Sequence, residues 1–437
     1  MVSYLAPTPC IIDTDPGVDD VIALLLALSS PNLLVLGITL THGNTTLDCC
    51  TANLQKLFYA LEQHLEQHPQ LREQWKGVDP EWRKKWGVGP IEVFLGSEGP
   101  IAGEAVTAKY FHGRDGLSNC TTRHPDLTPP ASHVSPFYTL STSSALEGAT
   151  SILSSNPKQS VAYVALGPLT SLAQLHLSSA NPSSETSILR DFSVILSMGG
   201  ALNHPGNTTP VSEYNYYADP YAADVVFKLA LPSLFIFPLD TTTYLTLPFE
   251  LYRRVVDRAF ADTKAPSRPE GKTPLAHLTS SFLEGTKEVM ASFGGDAMEL
   301  HDPAVVYALI DWTRSGKKVP AQEGVEEGEF ADGWGWKQAA FEVETQGTLT
   351  RGMLVQDLRS SSQSTTSLSA RTGLTNRTAA VEALDVEEIE AHRAAGEQSR
   401  EDVERKVRRS GARVVLRSPG SDRLRDDLLK SVWGVNE

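Results

Sequence analysis

The stretch CIIDTDPGVDD, Cys10 to Asp20, sets Asp13, Asp15, Asp19 and Asp20 within eight residues, directly after a short apolar run. Like charges at that density repel one another unless something positive sits among them. Carboxylates in the first turn of a helix interact well with its macrodipole, and Pro16 and Gly17 would shape such a turn. Capping accounts for one or two of the four. A hard divalent cation held by oxygen ligands fits the cluster better.

Other polar groups fit around such a centre. In ELHDPAVVYALIDW, Asp302 and Pro303 resemble an N-cap and a first helical residue, as do Asp219 and Pro220 in NYYADPYAADVVF. Capping suffices for Asp219. Asp302 differs because His301 precedes it, and an imidazole that titrates near neutrality suits proton transfer. The loop GNTTPVSEYN carries Asn207, Glu213 and Asn215, a set of donors and acceptors that matches the hydroxyl groups of a sugar. His112 and Arg114 lie between glycines in YFHGRDGLSN, where a solvated loop histidine is the plain alternative to a functional one.

Positioning these groups falls to alternating strands and helices. PCIID, NLLVLGITL, SVAYVAL, FSVILSM and PSLFIFPLD read as buried strands, and DDVIALLLALSS and the run from SLAQLHL as helices. That alternation predicts an α/β fold with a mainly parallel sheet covered by helices on both faces, Rossmann-like in organisation. The Asp cluster, Asn44, Leu166-Gly167, the Asn207–Asn215 loop and Asp240 each follow the carboxyl end of a strand. In open α/β sheets that rim is where ligands bind.

The 437-residue chain reads as one domain, 1–437, with a core of about 9–357 plus 412–435. Charged, Trp-bearing 62–90 and Pro/Ser-rich 121–144 read as peripheral insertions. Residues 359–411 read as a low-complexity and charged insertion. The net charge of −15 argues against nucleic acid or an anionic membrane surface as partner. The longest apolar run, VIALLLAL, is far short of the ~20 residues of a membrane span. The start has no basic and apolar signal-peptide pattern. Cys10, Cys49, Cys50 and Cys120 lack CxxC spacing and suit a reducing compartment, so a cytoplasmic location is expected. Sequons begin at Asn44 and Asn207, and a glycan at either would fill the rim, which agrees with that expectation.

DTDPGVDD resembles the N-terminal signature of the inosine-uridine-preferring nucleoside hydrolases. Gly43-Asn44, HGRDGL, LGPLT, MGG, GNTTPVSEYN, HDP and EVETQGTLTRGM follow in the family's order. The resemblance implies a Ca2+-dependent ribonucleosidase that cleaves uridine- and inosine-type nucleosides to base and ribose. It implies Ca2+ bound by Asp15, Asp20, Asp302 and the backbone carbonyl of Leu166. Asp15 would be the general base and His301 the acid for the leaving base. Asp19, Asn44, Asn207, Glu213, Asn215 and Asp302 would hold the ribose, and His112 would close over the base. Asp13 would brace its loop. A homodimer or homotetramer is the form implied. Two other readings remain from the residues alone. A haloacid-dehalogenase-like phosphatase would use DTD as nucleophile but leaves Asp19, Asp20 and HDP without a role. A non-catalytic nucleoside-binding homologue would need none of the acid–base groups.

Overall fold

Short buried runs ending in polar turns supply the strands. In chain order β1 is Thr8–Thr14, β2 Leu33–Leu40, β3 Ile91–Leu95, β4 Tyr138–Ser144, β5 Ala162–Ala165, β6 Val194–Met198 and β7 Leu234–Phe237. β8 (Thr246–Pro248) and β9 (Ala297–Glu299) form a small antiparallel pair of their own. β10 (Glu327–Ala331) and β11 (Trp334–Ala340) follow, then the paired β12 (Glu342–Val343) and β13 (Leu354–Val355), and finally β14 (Gly411–Arg417). This computed structural model describes residues 6–178, 183, 186–261, 263–316, 325–356 and 411–436. Apart from Gly411, the segment 359–411 lies outside the described residues.

The central sheet has ten strands in the order β10-β11-β14-β7-β6-β5-β1-β2-β3-β4. All pairings from β14 across to β4 are parallel, and β10 and β11 add an antiparallel edge. The expected parallel α/β architecture is therefore present. The chain winds outward from β1 to β4, returns to β5 on the other flank of β1, and continues through β6 and β7. Strand order thus reverses between β1 and β5, where a crevice opens at the carboxyl ends.

Successive residues of a strand face opposite sides of the sheet. Cys10 and Ile12 accordingly join one apolar core, and Ile11 joins the other. Every residue of the helix Val18–Ser29 is buried, and it packs on the helix His301–Ser315. Its sequence, VDDVIALLLALS, is apolar nearly all round, as a fully enclosed helix requires. Leu24, Leu25, Leu26 and Leu28 are each 0–1% exposed, and each contributes roughly 1.5–3 kcal/mol by burial. That anchorage fixes the first turn of the helix, and with it Asp19 and Asp20.

Two segments look different folded. The helix Leu47–Gln67 runs into 62–90, whose Trp75 and Val78 join the main core. The buried Arg83 guanidinium there donates to the carbonyls of Val35, Gly77 and Gly89. The end of 121–144, read as loop, is the edge strand β4. Its side chains are mostly exposed, so YTLSTSS lacks the apolar run by which buried strands are recognised.

Candidate active site

Register between β1 and its neighbours builds the floor of the site. Asp13 lies opposite Thr39 of β2 and Ala165 of β5. The Leu166 N–H donates to the Asp13 carbonyl at 2.8 Å, and the Thr41 N–H to the Thr14 carbonyl at 3.0 Å. Asp15 is thereby set between the loops that follow β2 and β5. The Asp13 side chain turns away and accepts hydrogen bonds from the Tyr163 and Ser171 hydroxyls, so it braces the loop.

Asp20 is the hub of the carboxylates. Its Oδ1 accepts from the Thr14 hydroxyl at 2.6 Å, and its Oδ2 from the Gly17 N–H and the Asn44 amide, both at 3.0 Å. Asp19, Asp20 and Asp302 each bring an oxygen within 4.8 Å of the other two. Asp15 accepts the Asn44 N–H through Oδ2 at 2.6 Å, while its buried Oδ1 has no hydrogen-bond partner among the described residues. Asp302 is not a cap: the helix His301–Ser315 starts one residue earlier, and Asp302 points into the cluster from its first turn. Asp219, by contrast, is the N-cap of the helix Pro220–Phe227.

Electrostatics in this cluster call for a cation. Asp15, Asp19, Asp20 and Asp302 are at most 7% exposed, and among the described residues no Lys or Arg forms an ion pair with any of them. Burial, then the Asp20 charge, push the Asp15 carboxyl well above its ordinary value. Burial, then the Asp19 charge, do the same to Asp302. Asp19 is pushed up to about 7 by burial and by Asp20. An uncompensated buried charge costs several kcal/mol. The buried, unpartnered Asp15 Oδ1 and the clustered oxygens therefore fit an oxygen-seeking dication.

Close packing leaves Asp15 no freedom. A Cβ on Gly43 would lie 1.9 Å from Asp15 Oδ2, and one on Gly167 would lie 2.6 Å from Asp15 Oδ1. Gly43→Ala must displace the carboxylate, and a misplacement of that order lowers turnover by about a hundredfold. Steady-state kinetics on folded G43A protein checks this; unchanged turnover would show that the position of Asp15 is immaterial.

Above this floor opens a cavity of about 310 Å3, lined by Asp19, Asn44, His112, Leu166, Asn207, Glu213, Asn215, His301 and Asp302 together with apolar groups. The Asn215 amide donates to the Leu166 carbonyl at 2.6 Å and to the Met198 carbonyl at 3.2 Å. Glu213 caps the helix Tyr214–Ala218, its carboxylate accepting the N–H groups of Gly200, Asn215 and Tyr216. Asn207 sits exposed on the rim, where its carbonyl accepts the Tyr110 hydroxyl. Arg114 and Asp240 do not line the cavity. Asp240 instead accepts the N–H groups of Leu202 and Asn203 and shapes the loop after β6.

The two histidines differ in state. His112 Nδ1 accepts the Val18 N–H at 3.2 Å, which leaves Nε2 to carry the proton. Burial pulls its pKa down to about 4, so the ring is neutral. His301 Nδ1 contacts the Thr242 hydroxyl at 2.8 Å, and its Nε2 contacts Glu299 Oε2 at 2.9 Å. Burial lowers the His301 pKa, but the Glu299 hydrogen bond and charge outweigh it and leave the ring above its ordinary value.

Glu299 and Thr242 carry no sequence signal of this role. Glu299 stands two residues before His301, and Thr242 reaches the ring across 59 positions from the helix Leu239–Thr242. The outer wall, Tyr110, Phe111, Met290, Phe293 and Met298, was likewise unread; apolar residues scattered over three segments resemble ordinary core.

Residues 10–76 and 81–391 match the family described as inosine-uridine preferring nucleoside hydrolase. An uncharacterized protein of Schizosaccharomyces pombe is 29% identical over 350 residues, 79% of this chain and 88% of its own length. The pyrimidine-specific ribonucleoside hydrolase RihA of Salmonella arizonae is 31% identical over 349 residues, 80% of this chain and 88% of its own. A plant nucleoside hydrolase, PpNRh1, superposes with a TM-score of 0.61 at 20% identity, covering 98% of this chain and 99% of its own. An inosine-guanosine nucleoside hydrolase also gives 0.61, at 19% identity, with 99% and 100% covered. The chain belongs to the inosine-uridine preferring nucleoside hydrolase family. It is a nucleosidase that hydrolyses ribonucleosides, in a metal-dependent family. Among the described residues no helix is long and apolar enough to cross a membrane, and all four cysteines are free.

Proposed function

We propose that the protein is a Ca2+-dependent hydrolase of the N-glycosidic bond of uridine- and inosine-type ribonucleosides. The observation that carries this reading is the buried carboxylate cluster, without a Lys or Arg partner among the described residues, at the floor of a cavity rimmed by hydroxyl-matching side chains. Asp15, Asp20, Asp302 and the Leu166 carbonyl hold the ion. When bound, it supplies a Lewis acid that lowers the pKa of a water molecule and orients the ribose hydroxyls.

The chain's own groups do the rest. Asp15 Oδ1, without another partner, accepts the proton of the attacking water. Asp19 and Asn44 bind at the 2′ side of the ribose, and Asn207, Glu213 and Asn215 bind its 3′- and 5′-hydroxyls. Asp302, beside the ion, faces the same hydroxyls. The surrounding carboxylates stabilise the positive charge that the sugar develops as the bond breaks. His301, anchored through Nδ1 by Thr242, hands its Nε2 proton from Glu299 to the departing base. His112, neutral with its proton on Nε2, closes over the base as a hydrogen-bond donor.

The likeness to a pyrimidine-specific relative supports uridine as a substrate. The distinguishing experiment is ribose release across a nucleoside panel, with and without chelator. Uridine and inosine are expected to head the panel; if neither releases ribose, the reading of the substrate fails. Calcium is also expected to stabilise chelated protein by about 2.7 kcal/mol at a hundredfold excess over Kd. Thermal unfolding with and without Ca2+ measures this, and no shift would count against the site. A cytoplasmic, homo-oligomeric enzyme completes the proposal; native mass spectrometry of protein from its host tests the oligomer.

A further inference from the structure

A second group of metal-ligating side chains lies outside the cavity, and the activity has no use for it. His124, Asp126 and His277 each bring one ring nitrogen or carboxylate oxygen within 4.8 Å of the other two. We propose that these three residues bind a first-row divalent transition metal of the Zn2+ class.

Burial supports this first. The side chains of His124 and His277 are 1% and 3% exposed, whereas that of Asp126 is 50% exposed and leaves a route to solvent. His277 and Asp126 alone would make an unremarkable pair, with Nε2 2.8 Å from Oδ2. His124 is what such a pair does not explain. It turns a ring nitrogen into the cluster, while its buried Nε2 makes no hydrogen bond among the described residues and has only a long contact, 3.4 Å, to Glu284 Oε2. A buried ring held by one long contact is poorly satisfied, and a metal at the cluster would hold it.

Ligand chemistry selects the ion. Two imidazoles and one carboxylate suit Zn2+ and its neighbours, whereas Ca2+ and Mg2+ favour oxygen throughout. Tetrahedral ligands on bonds of about 2.0–2.1 Å stand about 3.4 Å apart; the 2.8 Å His277–Asp126 contact opens slightly to admit an ion, and the separations to His124, none above 4.8 Å, close to the same distance. An outer shell is in place. His277 Nδ1 lies 3.1 Å from the Ser267 hydroxyl, which leaves Nε2 facing Asp126. The nearby cations are already matched: Lys272 with Asp257 at 2.7 Å, and Arg123 with Glu284 at 2.9 Å. On binding, the ion takes the place of the proton between His277 Nε2 and Asp126, and the neutral ring carries its one proton on Nδ1, toward the Ser267 hydroxyl.

Its place in the fold gives the ion a structural task. His124 and Asp126 belong to the segment that runs on from His112, and His277 begins the helix Pro274–Ser292, whose far end carries Met290 and leads to Phe293. Bound metal would staple together two walls of the nucleoside cavity.

Full-length protein, stripped by chelator and held in excess Ca2+, is titrated with Zn2+ and desalted, and metal per chain is counted. One retained equivalent of Zn2+ is expected, and Co2+ in its place should give visible d–d absorption. Asp126→Asn, at a half-exposed position that tolerates the change, and His124→Gln should each lose that equivalent, whereas Asp20→Asn should keep it. No retained equivalent in the unaltered protein would overturn the proposal. So would retention by folded Asp126→Asn protein, or loss in Asp20→Asn, which would place the zinc in the acidic site. The count is independent of nucleoside hydrolysis, so the two readings fail separately.

Discussion

Asp15→Ala is expected to lose at least about a thousandfold in kcat, some 4 kcal/mol of transition-state stabilisation. The size follows from two losses at once. The substitution removes the one carboxylate oxygen of the floor that is buried without a hydrogen-bond partner, and it removes an acceptor for the Asn44 N–H. It also takes one negative charge from a cluster whose members already raise one another's pKa. That relief favours folding, so the variant should be at least as stable without metal as the parent. Single-turnover and steady-state rates on the best nucleoside, with a melting curve of each protein, check both halves. A variant that keeps more than a tenth of the parent's turnover would remove Asp15 from the chemistry.

His301→Ala should lower turnover of natural nucleosides by about a hundred- to ten-thousandfold, the usual span for a general acid. A riboside with an activated nitrophenyl leaving group needs little protonation and should keep most of its rate. The contrast between substrates is the informative part, because a merely structural role would depress both. Thr242 at Nδ1 orients the ring and Glu299 at Nε2 raises its pKa, so proton delivery rather than ribose binding is what the variant loses. Equal loss on both substrates would show that the base leaves without help from His301.

Much of this site could be read along the chain because its donors sit next to the strands that position them. Asp15 to Asp20 follow β1, Asn44 follows β2, Leu166 follows β5 and Met198 ends β6, so local order and spatial order agree at the switch between β1 and β5. The buried strands were visible for the same reason: apolar runs such as LFIF are bounded by polar turns. What escaped depends on pairing between distant segments or on faces that are only half covered. Thr242 reaches His301 across 59 positions, from the short helix that follows β7. His277 meets Asp126 across 151 positions, with no motif to link them. β4 went unseen because an exposed edge needs no apolar alternation, and YTLSTSS has none.

Calcium content and ribose release, measured on one and the same sample, test the account most directly. Protein freed of metal by chelation should release no ribose from uridine or inosine above the spontaneous rate. Added Ca2+ should restore activity in proportion to one equivalent bound per chain, and Asp20→Asn should lose binding and activity together. Full ribose release by protein with no detectable metal would contradict it.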